Sequence, residues 1–434
     1  NEVLNRSRPD VVADIHRAYF GVGSDCVETN TFGANYAALN EYGISDRIAE
    51  LAEAGARIAR QVADEFSTDD RPRFVLGSVG PGTKLPTLGH IEAVTLRDAY
   101  QTQVEAMIRG GIDAVQIETC QDLQQAKAAV IGAKRARAAS GADDLPIFVS
   151  ITVETTGSML LGSEIGAALA TLAPLGIDIL GLNCATGPAE MGEHLRYLAR
   201  HAGIGLSAMP NAGLPELTAE GARYPLQPAE LARALDDYVD ECGLALVGGC
   251  CGTTPEHIRQ LVEAIGPQRP VKQRTPQVIN AVASLYSDVA LKQDTSYLAI
   301  GERTNANGSK AFREAMLAGN WDECVQIGRD QSRSGAHIVD LCVDYVGRDG
   351  AEDMVELASR FAGAVTLPVM LDSTEPAVIE AGLNHLPGRA IINSVNFEDG
   401  DGPNSRFQRV MPLVKLIASS RAHRRSVMTV TSLA

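Results

Sequence analysis

The sequence predicts an α/β protein built on a (β/α)8 TIM barrel whose first strand is missing, followed by a truncated second barrel of the same kind. Three observations carry this. From Val11 to Ile265, short apolar runs alternate with helical segments, the pattern of parallel βα units. A proline-rich stretch then interrupts the alternation, and from Tyr297 it resumes. The 434 residues, 45% of them hydrophobic, suffice for two or three domains with full cores.

The chain opens on Pro9-Asp10 and a helix, Val11–Phe20, with no strand before it. Strand-like runs follow at Ser24–Thr29, Phe74–Val79, Ala114–Glu118, Ile147–Val153, Ile179–Asn183, Gly205–Met209 and Leu244–Gly248. Between them Arg47–Phe66, Leu96–Arg109, Leu123–Ala139, Pro188–His201 and Pro228–Glu241 carry apolar residues at three-to-four spacing, the mark of amphipathic helices. Seven strands leave a barrel one short, and one wall of its mouth with it. Pro267, Pro270 and Pro276 with Arg269, Lys272 and Arg274 read as a linker. The expected division is therefore a barrel over 1–266, a linker over 267–296, a partial second barrel over 297–415 and an atypical tail over 416–434.

The second half supplies strands at Tyr297–Gly301, Ile338–Asp344, Pro368–Asp372 and Ala390–Val395, and four strands cannot close a barrel. Its helices fall near Lys310–Leu317, Asp322–Ser334, Glu352–Ala362 and Pro376–Leu383. The tail, with Arg421, Arg424 and Arg425 among serines and threonines, shows no strand-then-helix continuation. It reads as a shifted frame or a non-native segment.

A net charge of −16 argues against nucleic-acid or anionic-membrane partners, which would be repelled. Small-molecule or protein partners fit better. Eight cysteines without dense regular spacing read as reduced thiols in the cytoplasm rather than a disulfide framework. No apolar run reaches the roughly 18 residues of a membrane span, and no signal segment opens the chain. The first residue is Asn rather than Met, which qualifies any reading of targeting.

The chemistry concentrates at strand ends. Gly248-Gly249-Cys250-Cys251-Gly252-Thr253-Thr254 follows an apolar strand and precedes a helix opened by Pro255. Adjacent cysteines on a strand point apart and do not bridge to each other, so a shared metal explains them better. Cys184 ends another apolar run at the matching position. Three sulfur ligands leave one zinc position open, the arrangement of a catalytic site. The plainer reading, free cysteines as small buried hydrophobes, fits either segment alone. Their equivalent placement favours metal.

Polar residues gather at the strand ends generally: Glu28 to Phe32 with Thr29 and Asn30, Gly80-Pro81, Glu118 to Cys120, Glu154 to Thr156, Asn183-Cys184, and Pro210 to Gly213. Any one of them serves as a cap or turn. Six in register around one mouth point to a binding site, in which the Glu118 carboxylate faces a ligand ammonium.

With both halves read, the chain resembles the cobalamin-dependent methionine synthase family, from Asn1 to Lys415. The resemblance rests on Val27-Glu-Thr-Asn-Thr-Phe-Gly33, Ile117-Glu-Thr119, Gly181-Leu-Asn-Cys184, Met209-Pro-Asn-Ala-Gly213 and Gly248 to Thr254. These alone fit any zinc-dependent homocysteine methyltransferase. The second half adds the pterin-binding pattern of Ile300 to Gly308, Asp344 to Gly350, Leu371-Asp372-Ser373 and Ile391-Ile-Asn-Ser-Val-Asn396.

The resemblance implies that Cys184, Cys250 and Cys251 hold zinc and that homocysteine sulfur takes the open position, near Glu118, Thr29 and Asn30. Asn211, or water, fills that position without substrate. It further implies that 5-methyltetrahydrofolate sits on the second half, with Asp372 and Asn393 as pterin acid and amide and with Glu302, Asn305 and Asp340 nearby. Methyl transfer, giving methionine and tetrahydrofolate, then passes through cobalamin. The cobalamin-binding and reactivation modules are not in this chain, so it reads as a methyltransferase fragment. The alternatives are a direct, cobalamin-independent homocysteine S-methyltransferase and a catalytically silent zinc-stabilised scaffold.

Overall fold

In a computed structural model of the chain, residues 1–219, 221–294, 296–415 and 428–431 are described. Strands β1 (Cys26–Glu28), β2 (Phe74–Val79), β3 (Ala114–Cys120), β4 (Ile147–Ile151), β5 (Ile179–Asn183) and β6 (Gly205–Met209) follow in order. A small antiparallel hairpin, β7 (Glu216–Thr218) and β8 (Gly221–Arg223), precedes β9 (Leu246–Gly249). These are the seven predicted barrel strands within a residue or two at each end.

The barrel nevertheless closes with eight. A strand from the far end of the chain, Met428–Thr431, lies between β1 and β9, parallel to both, and completes the order. The place expected to stand open for want of a first strand is thus filled from within the tail, where the sequence shows no strand-then-helix unit. Residues 416–427 and 432–434 of that tail lie outside the described residues.

Helices wrap the barrel where apolar spacing predicts. Pro9–Gly21 begins with proline at its first turn and buries Val12, His16 and Phe20 along one stripe. Ile48–Phe66 buries a face rich in small residues, including Ala52, Gly55, Ala56, Ala59 and Ala63. Small side chains let helix and sheet approach closely. Inside the barrel, Leu76, Ala114, Phe148, Ile179 and Leu246 form an apolar floor. Above it the inward positions turn polar, with Gln116 Nε2 donating to Ser150 Oγ at 3.0 Å. That polarity faces the mouth.

The stretch read as a linker contains a hairpin, β10 (Ala281–Ala283) paired with β11 (Asp288–Ala290). It is wedged between the two halves: Tyr286 O accepts from Glu164 N at 2.8 Å, while Tyr286 OH donates to Gly363 O at 2.6 Å. Beyond it β12 (Ile300–Asn305), β13 (Ile338–Cys342), β14 (Val369–Asp372) and β15 (Ile391–Asn393) form a four-stranded parallel sheet in sequence order. Its own core gathers Phe312, Met316, Leu341, Leu357, Phe361 and Leu371. The halves also meet directly: Lys127 Nζ donates to Leu386 O at 2.6 Å and Gly388 O at 3.2 Å, and Gln124 Nε2 donates to Asn384 O. We designate the tail strand Met428–Thr431 β16.

Candidate functional site: a three-thiol cluster at the barrel mouth

Parallel strands deliver their carboxyl ends to one rim, and there β5 runs into Cys184 while β9 runs into Cys250 and Cys251. The two strands flank β6. The loop after β6 stitches both cysteine turns together: Cys250 N donates to Pro210 O at 2.8 Å, Ala212 N to Cys251 O at 2.9 Å, and Asn211 N to Thr186 O at 3.0 Å. As a result the three sulfurs lie within 4.8 Å of one another. Cys184 Sγ is 3.7 Å from Cys251 Sγ, which is 4.0 Å from Cys250 Sγ.

The backbone bends unusually to achieve this. Cys184 and Ala185 both sit at φ 58°, in the left-handed region that non-glycine residues avoid. Thr119, across the rim, is at φ 57°. Strain of this kind persists only where surrounding contacts hold it, and it clusters at functional sites. Gly252, at φ 79°, brings its backbone against the Tyr224 ring, where a Cβ would lie 2.3 Å from Tyr224 Cγ. Only glycine fits there.

Three thiols this close share their protons unequally. Hydrogen bonds from Cys184, then Cys250, with a further one from Tyr224, hold Cys251 well below the usual thiol range. Cys250 is pushed well above it by Cys184 and Cys251 and by burial. Cys184, drawn down by Cys250 but pushed up by Cys251 and by burial, stands at about 11. One negative charge is thus accommodated and further ones are resisted, a situation that a bound dication would reverse. The donor set of three converging sulfurs suits zinc and leaves a tetrahedral position for another ligand.

Below the thiols, Asn183 links the cluster to a buried acid. Its Nδ2 lies 4.0 Å from Cys250 Sγ, 3.4 Å from Glu118 Oε2 and 2.8 Å from Thr119 Oγ1. Glu118 accepts a second hydrogen bond from Ser78 Oγ at 2.6 Å and is fully buried.

Of the other predicted residues, Asn211 stands at the cluster, its Oδ1 accepting from Cys251 N at 3.1 Å. A carbonyl oxygen retains a second lone pair. Thr29 is buried in the strand ladder, accepting from Ser78 N at 3.0 Å and touching Thr31 Oγ1 at 2.6 Å. Asn30 turns outward, pairing with Asn5 Oδ1 at 2.8 Å and Asn1 O at 3.2 Å. It is not brought to the thiols. Tyr224 went unnamed in the sequence; Asn183 stood there only as one of the polar strand-end residues, immediately before Cys184, and its inward register followed from strand alternation.

In the second half, Asn305 Nδ2 donates to Asp340 Oδ2 at 2.8 Å and to Asp372 Oδ2 at 3.0 Å. Asp372 Oδ1 accepts from Ser394 Oγ, a residue at φ 61° that sequence reasoning passed over. Burial pushes Asp340 up to about 6, against the donation from Asn305 and with the nearby charges of Asp372 and Glu302. Its Oδ1 is buried with no hydrogen-bond partner among the described residues. Asn393 sits beside Asp372 in register, and it and Glu302 are exposed.

Comparison with known proteins follows the same two halves. The family profile Homocysteine S-methyltransferase matches residues 1–265, and the profile Pterin binding enzyme matches residues 301–421. Methionine synthase of Mycobacterium tuberculosis is 60% identical over 415 residues, 95% of this chain and 35% of that protein. The Mycobacterium leprae protein of the same name is 59% identical over 418 residues, again 35% of its length. The chain therefore spans about a third of these curated relatives. Among solved structures, the metallated form of the homocysteine methyltransferase MmuM from Escherichia coli aligns with TM-score 0.49 at 21% identity, over 59% of this chain and 85% of that one.

Proposed function

We propose, since the chain belongs to the homocysteine S-methyltransferase family, that it carries the homocysteine and folate sites of a methionine synthase. The observation that carries this reading is the convergence of Cys184, Cys250 and Cys251 within 4.8 Å from two strands of one barrel.

In this reading the three thiols hold zinc. When bound, zinc supplies the Lewis acidity that keeps an incoming thiol ionised near neutral pH, where a free thiol with pKa roughly 8.5 is mostly protonated. The chain's own residues do the rest. Glu118, buried beside the cluster, offers its carboxylate to the homocysteine ammonium, and Asn183 orients that carboxylate relative to Cys250. Thr29 supports this wall, and Asn30 fixes the loop that follows it through Asn5. Asn211, whose Oδ1 accepts from Cys251 N, is our candidate for completing the donor set when no thiol ligand is present, with water as the competitor.

In the second half Asn305, Asp340 and Asp372 form a polar floor, with Asn393 and Glu302 at its rim, for the amino-pyrimidinone edge of 5-methyltetrahydrofolate. The buried, unpartnered Oδ1 of Asp340 supports this, because it suits a ligand N–H. The methyl carbon leaves folate nitrogen with its electron pair remaining on that nitrogen, which takes a proton to give tetrahydrofolate. It ends bonded to homocysteine sulfur as methionine. Cobalamin, held on modules outside this chain, supplies the carrier between the two sites. We place this chemistry in the cytoplasm; among the described residues no helix is long and apolar enough to cross a membrane.

Metal analysis with X-ray absorption tests the reading, on the protein and on Cys251→Ala, with and without homocysteine. About one zinc per chain, with a sulfur-rich shell that gains one sulfur on adding homocysteine, is the expected result. No zinc, or a four-ligand shell indifferent to homocysteine, would overturn it.

A further inference from the structure

The two cysteines that follow β9 are held from different sides. A tight turn closes behind them, with Thr253 N and Thr253 Oγ1 donating to Cys250 O at 3.2 and 2.7 Å. The loop after β6 fixes the Cys251 backbone, Ala212 N donating to its carbonyl and Asn211 Oδ1 accepting from its N–H. The Cys251 side chain instead meets the segment that follows the β7–β8 hairpin, Tyr224 to Leu226. The hairpin strands are exposed along their whole length, whereas Leu226 packs against the main barrel core. This segment is the anchored root of an arm that otherwise faces solvent.

Two glycines and a histidine anchor it. The Tyr224 ring lies flat on the cysteine turn at Gly252, where a Cβ would stand 2.6 Å from Tyr224 Cδ2. Behind it Pro225 and Leu226 press on Gly213, where a Cβ would stand 3.3 Å from Pro225 Cδ and 3.2 Å from Leu226 Cβ. Leu226 N donates to Ala212 O at 2.9 Å. Leu226 O lies 3.1 Å from His257 Nε2, while His257 Nδ1 accepts from Thr254 N at 3.2 Å and lies 3.0 Å from Thr254 Oγ1. A ring whose Nδ1 accepts carries its proton on Nε2, so His257 donates to Leu226 O. Buried in the first turn of the helix Pro255–Ile265, His257 thus ties the exit of the cysteine turn to the segment that carries Tyr224.

We propose that Tyr224 and His257 are positioning residues of the thiol site: the Tyr224 hydroxyl donates to the Cys251 sulfur and aims it at the shared metal, and His257, through Leu226, holds Tyr224 in place. The inference rests on the zinc reading above. Packing of the ring on Gly252 fixes where the hydroxyl stands, and that hydroxyl is one of the groups hydrogen-bonded to Cys251. An O–H donated to a thiolate is a charge-assisted hydrogen bond that draws electron density from the sulfur as it orients it. Partners of this kind, one step removed from the metal, set both the direction of a ligand and its donor strength.

Cobalt(II) loaded in place of zinc on the intact chain tests this, because sulfur-to-cobalt charge-transfer absorption reports on the thiolates themselves. The unsubstituted chain should take up about one cobalt with sulfur ligation. Tyr224→Phe keeps the ring on Gly252 and deletes only the hydroxyl. It should bind the same amount of cobalt with its charge-transfer bands shifted to lower energy, since a sulfur without its donor holds its electrons less tightly. His257→Ala should give the same shift and let the Leu226 amide exchange roughly tenfold faster. His257→Gln, whose Nε2 can donate to Leu226 O, should restore both. A purely structural role would lower stability and leave the Tyr224→Phe bands where they were. Bands in Tyr224→Phe that superpose on those of the unsubstituted chain would overturn the proposal, as would a His257→Ala protein with bands and Leu226 exchange both unchanged. Failure of the unsubstituted chain to bind cobalt would instead overturn the zinc reading, and this proposal with it. Tyr224→Phe decides the matter even if His257→Ala does not fold.

Discussion

Asn183 Nδ2 stands 3.4 Å from Glu118 Oε2, tying the buried acid of β3 to the residue that precedes Cys184 on β5. Through its Oδ1 the same side chain accepts from Thr119 N at 2.7 Å, which holds that residue in its left-handed turn. Asn183→Ala should therefore act on substrate binding more than on metal content. A hydrogen bond to a charged group contributes about 1.5–3 kcal/mol, so on the proposed reading the affinity for homocysteine should fall roughly tenfold or more. Zinc stoichiometry should stay unchanged, and its loss in the variant would assign Asn183 to the metal site instead.

Gly252→Ala should disturb the cluster from the opposite side. The substitution meets the Tyr224 ring and forces a positive φ on alanine. The expected cost is about 1–3 kcal/mol, read as a lower melting temperature and a faster zinc release to a chelator. An unchanged release rate would show that the Tyr224 side of the mouth does not hold the thiols.

Asp340 gives the second half a pH signature. Its folded pKa of about 6 lies above the ordinary 3.8 because burial disfavours the carboxylate. The folded state therefore binds the proton more tightly than the unfolded one. The stabilisation from the protonated form is complete below pH 3.8 and is lost as pH rises through about 6. Asp340→Asn should then raise stability at pH 7 by about 1–2 kcal/mol after discounting for solvent screening, with the gain disappearing at low pH. Thermal melts from pH 4 to 8 measure it. Because a ligand N–H needs the carboxylate, affinity for a folate should also fall as pH drops below about 6. PH-independent binding would remove Asp340 from the pterin site.

Lys127 couples the halves. Its ammonium, buried at the junction and lowered to about 8 by that burial, donates to two carbonyls of the second half. Lys127→Ala leaves both unsatisfied, at a cost of about 1–3 kcal/mol. Limited proteolysis around Leu386 to Gly388 should accelerate while the barrel stays resistant. Equal resistance would mean that the hairpin of β10 and β11 and the Gln124 bond to Asn384 O carry the docking without Lys127.

Much of this molecule was legible in order of residues. Apolar runs of strand length located seven barrel strands and the four of the second sheet, because burial on both faces of a parallel sheet leaves continuous hydrophobic stretches. The positions of Cys184, Cys250 and Cys251 at strand ends already placed them on one rim, since parallel strands share a direction. What tertiary structure alone decided are the relationships that depend on distant neighbours. Thr429 and Val430 sit in a serine- and threonine-rich tail with no periodic signal, and they form a strand because Asp25 and Gly248 offer a groove with unpaired backbone on both sides. Asn30, alike in type to its neighbours, turns to Asn5 rather than to the mouth because a helix at the start of the chain meets it there. Tyr224 reaches Cys251 only because a hairpin folds back across the β9 turn. Local sequence sets the conformation each segment prefers; which surface completes it is settled by burial of groups far apart in the chain.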